Sequence, residues 1–186
     1  MKIYKLLFIL ISILVTTNSC KEIDKLTQFS MTFEAEENIP LISEVLLNQL
    51  DGQPLSYDFE VETNSSNTFS DNDTSKDLIE RVFLNNAKLI IVSPEGVDFT
   101  FLDTIRVFID TDKNREIELL IASKLVISEH VGDTIELDIE KQDLSPFLKE
   151  ENIVLRLEVG IDKTTIEEYR IKLDIDFTVD AKILGV

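Results

Sequence analysis

The stretch EEYRIKLDIDFTVDA at residues 167–181 alternates apolar and polar side chains over most of its length. Its apolar positions fall at every second residue: Tyr169, Ile171, Leu173, Ile175, Phe177 and Val179. Successive side chains of a β-strand point to opposite faces of a sheet, so a period of two predicts a strand with one buried face. A long strand of this kind needs a second apolar layer to cover it.

Seven further stretches favour strands by alternation or by β-branched content. They are LTQFSMTFEAE (26–36), SYDFEVET (56–63), AKLIIV (87–92), DTIRVFID (103–110), EIELLIAS (116–123), DTIELDIE (133–140) and IVLRLEVG (153–160). The AKLIIV stretch is nearly all apolar, which predicts burial on both of its faces. Turn residues separate the stretches, including DGQP at 51–54 and the segment 94–96.

Two short helices are predicted between these strands. In SKDLIERVFL (75–84), Leu78 and Val82 are spaced four apart, as are Ile79 and Phe83, with Thr74 or Ser75 as the cap. In DLSPFLKEEN (143–152), Ser145 is the expected cap and Pro146 the first helical residue. The polar segment NSSNTFSDNDTS (64–75) is the longest predicted loop.

About eight short strands, each with one buried face, predict an all-β fold of two antiparallel sheets packed face to face. An immunoglobulin-like or related β-sandwich is the first expectation. A jelly roll or a closed barrel is the alternative, because strand count does not separate these architectures.

The N-terminus has the layout of a signal peptide. Lys2 and Lys5 precede an apolar block of about ten residues, and small polar residues lead into Cys20. A helix that spans the hydrocarbon core needs roughly twenty residues, so the block is too short to be a permanent span.

The segment TTNSC, which ends at Cys20, resembles the lipobox of bacterial lipoproteins, with Thr17 where that family usually has Leu. The resemblance implies cleavage after residue 19, a diacylglycerol thioether and an N-acyl chain on Cys20, and a tether over residues 20–25. The loose box and the acidic, Asn-rich chain resemble lipoproteins of the Bacteroidota, including small ones built on one β-sandwich. This implies an outer-membrane location, on either the periplasmic or the extracellular face, with residues 26–186 forming one domain.

Composition restricts the class of partner. Removing residues 1–19 leaves 16 basic against 36 acidic residues, a net charge of about −20, which excludes nucleic acid. With no cysteine after Cys20, stability must come from packing rather than disulfides.

The sequence carries few groups suited to catalysis, and we expect no enzymatic activity and no cofactor. The one histidine, His130, lies in a predicted turn, and there is no G-x-S-x-G or H-E-x-x-H motif and no glycine-rich phosphate loop. Carboxylate pairs are uninformative in so acidic a chain.

Two kinds of site are weaker candidates. In DTDKNRE, Asp110, Asp112 and Asn114 alternate as at the start of a calcium loop, but Arg115 stands where an EF-hand has Gly. The tripeptide DTI occurs twice and resembles the O-glycosylation sequon of Bacteroidota, which makes Thr104 and Thr134 candidate glycan acceptors.

The function predicted from these features is a lipid-anchored, non-enzymatic binding or assembly module with a protein or glycan partner. One alternative is a carbohydrate-binding lipoprotein of a glycan-uptake system, for which the lack of Trp is poor support. The second alternative is a carboxylate-dependent hydrolase.

Overall fold

A computed structural model describes residues 28–111, 118–125 and 132–182. The described residues form nine strands, which in chain order are β1 (Gln28–Ile39), β2 (Leu55–Glu62), β3 (Ile79–Ser93), β4 (Leu102–Asp110), β5 (Leu119–Leu125), β6 (Thr134–Glu136), β7 (Asp138–Ile139), β8 (Asn152–Ile161) and β9 (Tyr169–Ala181). The same part of the chain contains three short α-helices, namely α1 (Glu44–Leu50), α2 (Ser65–Asp71) and α3 (Ser145–Leu148). Within these residues no helix combines the length and apolar composition that a membrane span requires.

The strands form two antiparallel sheets packed as a sandwich, which confirms the predicted fold class. Sheet A has the order β1-β9-β3-β6, and sheet B has the order β2-β8-β4-β5-β7. Four antiparallel pairs bring early strands against late ones: β1 pairs with β9, β2 with β8, β3 with β6 and β4 with β5. The chain is thus arranged as one long hairpin that folds over into two layers. This connectivity is that of the jelly roll, the predicted alternative, and the described strands form no closed barrel.

Strand β9 lies between β1 and β3 and follows the predicted alternation. Its apolar positions are at most 7% exposed, and the outward positions between them are partly exposed or exposed. Phe177 packs edge-to-face on Phe33 of β1 at 5.9 Å between ring centroids. The inward residues of β4, Ile105, Val107 and Ile109, are fully buried in the facing sheet.

The predicted helix over residues 75–84 is wrong. A single 3₁₀ turn, Lys76–Leu78, is followed directly by β3, which begins at Ile79. Register shifts in the pairing of β3 with β9, after Ile79 and after Leu84, insert extra residues into the strand. The bulges space the buried residues of β3 by three as well as by two, and the spacing of three imitates helical periodicity.

Three local predictions need smaller corrections. The predicted loop at 64–75 contains α2, and the AKLIIV stretch buries Ala87, Leu89 and Ile91 but leaves its alternate positions partly exposed. The DTIELDIE stretch divides at Leu137, with β6 in sheet A and β7 in sheet B.

The predicted helix near Ser145 forms, with Leu144 rather than Ser145 as its N-cap. The capping acceptor is the Asp143 carboxylate, which accepts from the Ser145 amide at 3.0 Å and from the Ser145 hydroxyl at 3.1 Å. It also accepts from the Val82 amide at 3.0 Å, so it ties α3 to β3.

Candidate functional site

The antiparallel pairing sorts the connections into two ends of the sandwich. Strand β1 begins at Gln28, opposite Asp180, and ends at Ile39, opposite Tyr169. We call the end at Gln28 the proximal end and the end at Ile39 the distal end. At about 3.3 Å per residue, the 12 residues of β1 separate them by about 36 Å. The distal end therefore carries the connections 40–54, 94–101 and 162–168.

Two of the distal connections are joined by hydrogen bonds between Ile42 and Thr165. The Ile42 amide donates to Thr165 Oγ1 at 2.9 Å, and the Thr165 amide donates to the Ile42 carbonyl at 3.0 Å. The Thr165 hydroxyl also donates to the Glu167 carbonyl at 3.0 Å. Ile42 is fully buried and Thr165 is buried beside it, so this pair fixes the two connections to the core.

The residues next to this pair are exposed. Leu41 precedes Ile42 and Ile166 follows Thr165, so the hydrogen bonds between Ile42 and Thr165 hold the two connections that carry these side chains beside each other. Leu41 is 49% exposed and Ile166 is 84% exposed, while Val45, in the first turn of α1, is 67% exposed. Three large apolar side chains thus lie in solvent on adjoining connections.

Helix α1 holds Val45 in place through its caps. Ser43 is the N-cap, and its hydroxyl accepts from the Leu46 amide at 3.2 Å. The helix ends at Asp51 in the left-handed region, followed by Gly52 with φ of 75°. Leu46 and Leu47 pack against the core, yet no residue of α1 is fully buried, so one side of the helix faces solvent.

The distal connections are strongly acidic. Residues 40–54 and 94–101 carry two acids each, and residues 162–168 carry three, against the one base Lys163, whose Nζ donates to the Thr100 carbonyl at 2.9 Å. Burial, with the nearby carboxylates of Glu167 and Asp98, raises the pKa of the Tyr169 phenol. We call Leu41, Val45 and Ile166, with the flanking acids Glu44, Asp162, Glu167 and Glu168, the distal surface.

A second charged group lies on the outer face of sheet B. Arg156 of β8 is 2% exposed, contacts the Glu118 carboxylate and lies over the Phe108 ring at 5.2 Å from its centroid. Its Nε lies 3.8 Å from Glu158, which pairs with Arg106 at 3.1 Å. Because Arg156 is enclosed by side chains of its own sheet, we assign it a structural role.

A polar cleft of about 360 Å³ opens near the proximal end. Its lining combines β1, the end of β2 and α2, namely Ser30, Met31, Thr32, Phe33, Glu62, Thr63, Asn64 and Thr68. The lining offers hydroxyl and amide groups with one carboxylate, and it contains neither a histidine nor a cysteine. Such groups can hydrogen-bond a polar ligand.

The candidate metal loop is only partly described. Asp110 is the last residue of β4 and is buried, and its Oδ1 accepts from the Thr111 amide at 2.6 Å. Asp112 and Asn114 lie outside the described residues, as do His130 and Cys20. In the part of the chain that the structure describes, no three histidine, cysteine or acidic side chains group as metal ligands.

The two candidate glycan acceptors have different surroundings. The Thr104 hydroxyl is partly buried in the middle of sheet B and donates to Asp103 Oδ1 at 2.8 Å. Thr134 begins the edge strand β6, is exposed, and donates to Asp133 Oδ1 at 3.2 Å. Of the two, Thr134 offers a modifying enzyme the more accessible hydroxyl.

Sequence reasoning missed the distal surface because its residues are distant in sequence. The sequence gives one weak indication of this surface, which is that single apolar residues, such as Ile166 in DKTTIEE, lie within otherwise polar loop segments. Nothing local shows that the connections carrying residues 41 and 166 are hydrogen-bonded to each other.

Neither a protein-family model nor a curated protein matches the sequence. Among solved structures, the chain resembles a capsid protein of Helicobacter pylori bacteriophage KHP30, with 9% identity, a TM-score of 0.35, and 81% of this chain and 92% of that chain covered. It resembles the C-terminal domain of a chitobiase from Bacteroides fragilis, with 16% identity, a TM-score of 0.37, and 68% of this chain and 66% of that chain covered. It also resembles a structure of Maize Chlorotic Mottle Virus, with 9% identity, a TM-score of 0.30, and 86% of this chain and 97% of that chain covered. At these identities and TM-scores the likeness implies no shared activity.

Proposed function

We propose that this chain is a lipid-anchored, non-enzymatic binding or assembly module of the outer membrane, held by acyl chains on Cys20. The observation that supports the proposal is the placement of the start of β1 and of the distal surface at opposite ends of the sandwich. A protein tethered at one end and apolar at the other is arranged to present a contact surface away from its membrane.

The tether sets the reach of such a module. Residues 21–27 lie between Cys20 and the start of β1 at Gln28, so Cys20 and Gln28 are eight residue steps apart. Fully extended, eight steps span at most about 28 Å. The proximal end then faces the lipid, and the distal surface stands one strand length, about 36 Å, farther out. Two acyl chains, at about 0.8 kcal/mol per buried methylene, hold the protein durably, whereas one would bind marginally.

The carbohydrate-binding alternative has weaker support. Sugar platforms use exposed aromatic rings, and among the described residues Phe83, at 36% exposure, is the most exposed aromatic side chain. The Arg81 guanidinium lies over its ring at 5.3 Å from the centroid, which covers one face.

The experiment for the proposal is fractionation of cells that make the protein or its Cys20→Ser variant, with a clickable palmitate analogue in the medium. We expect the native protein to incorporate label and sediment with outer membrane, and the variant to lose both properties. Proteinase treatment of intact cells then tells which face carries the domain. Equal distribution of both proteins, without label, would contradict the lipid anchor.

A further inference from the structure

We infer that the distal surface docks a basic, amphipathic segment of a partner protein. The inference rests on the proposed function, since it names the chemistry of the partner that the anchored module would bind. It combines two observations at the same place in the fold, namely exposed apolar side chains and a one-sided charge.

The apolar part of the surface is held in an ordered position. Ile42 and Thr165 fix the backbone beneath Leu41 and Ile166, so little conformational freedom remains to be lost on binding. Single exposed apolar residues are ordinary on protein surfaces, but Leu41, Val45 and Ile166 lie on two joined connections. Apolar anchors with a polar rim are the usual anatomy of a protein contact site.

The charge around these side chains selects the occupant. Glu44 neighbours Val45, and Asp162, Glu167 and Glu168 share the connection of Ile166, while the amine of Lys163 is engaged by Thr100. A cationic segment gains attraction and speed of association from this field, and an anionic lipid surface is repelled by it. A second copy of the mature chain, with 16 basic against 36 acidic residues, is repelled as well.

The extent of the surface sets the expected strength. Three apolar side chains and a rim form a contact near the small end of the range for specific interfaces, which is typical of transient complexes. We therefore expect micromolar affinity for an isolated segment, with a marked dependence on salt.

The test uses the mature lipoprotein in nanodiscs of neutral phosphatidylcholine. The probe is a helical model peptide of Leu and Lys with a fluorescent label, and a peptide in which Glu replaces every Lys is its matched control. We expect anisotropy to show binding of the Leu/Lys peptide alone, and the double variant Leu41→Ser with Ile166→Ser to weaken it about tenfold or more. Phe83→Ser, which removes an exposed apolar side chain elsewhere, should leave the affinity within about twofold.

Three outcomes would overturn the inference: no binding of the Leu/Lys peptide, equal binding by the double variant, or binding to anionic phosphatidylglycerol vesicles that the double variant loses. Circular dichroism melts establish that the double variant is folded. Since both side chains are largely exposed, its midpoint should stay within a few degrees of the native value.

Photo-crosslinking in native membranes separates failure of this inference from failure of the proposed function. A benzophenone residue replaces Ile166 at the distal end or Asp71 at the proximal end. Crosslinks from position 166 to a segment rich in Lys or Arg support the inference. Crosslinks to protein from position 71 alone overturn the inference but agree with the proposed function as a binding module. The absence of crosslinks to protein from either position counts against both the inference and the proposed function.

Discussion

The backbone amide of Ile42 donates to the hydroxyl of Thr165, and the amide of Thr165 donates back to the carbonyl of Ile42, at 2.9 and 3.0 Å. This reciprocal pair joins the connection after β1 to the connection before β9, 123 residues later. It joins the two connections that carry the exposed side chains of Leu41 and Ile166, each of which neighbours one member of the pair.

Thr165→Val should destabilise the protein by about 1–3 kcal/mol, because it leaves the buried Ile42 amide without its acceptor. Thr165→Ser keeps the hydroxyl and should recover most of the loss. Thr164→Val, at the exposed neighbouring position, should stay within about 0.5 kcal/mol of native. Urea denaturation of the three variants measures the differences. A native-like midpoint for Thr165→Val would show that the pair does not stabilise the fold.

Gly160→Ala should be destabilising by about 1–3 kcal/mol through overpacking. A Cβ at residue 160 would lie 2.0 Å from Asp103 Oδ1 and 2.3 Å from Thr104 Oγ1, so both side chains have to move and their hydrogen bond is disturbed. Adding Asp103→Ala should recover part of the loss, a coupling that a double-mutant cycle measures. Gly132→Ala, with no atom within 4 Å of the new Cβ, is the matched control and should be nearly neutral. Additive effects of the two changes would argue against the clash.

Asp143→Ala should cost about 1 kcal/mol near neutral pH, because the carboxylate caps α3 and ties it to β3. Burial opposes ionisation of Asp143, but hydrogen bonds from Val82 and Ser145 outweigh it and hold the pKa of this carboxyl below its usual range. A lowered native pKa gives stability that is present above the unfolded pKa, about 3.9, and is lost as pH falls through the native pKa. Thermal melts across this range should therefore show the gap between native protein and variant closing in acid. A gap that widens in acid would contradict this account.

The Tyr57 phenol should ionise late in an alkaline titration. Burial, and secondarily the Glu37 carboxylate, raises its pKa from 10.0 to about 12. An acid with a raised native pKa keeps its proton longer in the folded state, so stability is lost as pH rises above 10.0 and through the native value. When the titration is followed by phenolate absorbance, the transition at the highest pH should be absent from Tyr57→Phe. In Glu37→Gln this transition should move to lower pH, while burial keeps its pKa above 10.0. An unchanged titration in Tyr57→Phe would assign the transition at the highest pH to another tyrosine.

If the DTI tripeptides are glycosylated in the native organism, Thr134 should carry the glycan at higher occupancy than Thr104. Thr134 is exposed on an edge strand, whereas Thr104 is partly buried in the middle of a sheet. Intact-mass measurement of native protein, Thr134→Val and Thr104→Val should show the larger loss of mass in Thr134→Val. A larger loss in Thr104→Val would mean that modification precedes folding.

Strand alternation made the layers predictable from sequence. In β9 a polar side chain follows each apolar one, and the buried residues are those that the period of two selects. In β4 the predicted inward residues Ile105, Val107 and Ile109 are buried as well. The pairing of strands was not predictable, because it depends on contacts between residues far apart in the chain. The sequence therefore left the jelly roll and the immunoglobulin-like sandwich as alternatives.

Strand β3 and helix α2 show how distant contacts override local pattern. The bulges of β3 are fixed by its register with β9, so the spacing of Ile79 and Val82 could not be recognised as a strand from residues 75–84 alone. Helix α2 is secured by Glu151, whose carboxylate accepts from the Ser66 amide at 3.2 Å and also contacts the hydroxyls of Ser65 and Ser66. That acceptor lies more than eighty residues along the chain.

The order of the strands also has a consequence for biosynthesis. Strand β9 joins β1 to β3, and among the described strands it is synthesised after all the others. At roughly 5–20 residues per second, β1 waits on the order of ten seconds for its partner. Until then, sheet A lacks the central strand that pairs with both β1 and β3. A chain made in this order cannot complete its four-stranded sheet until most of the domain has been synthesised.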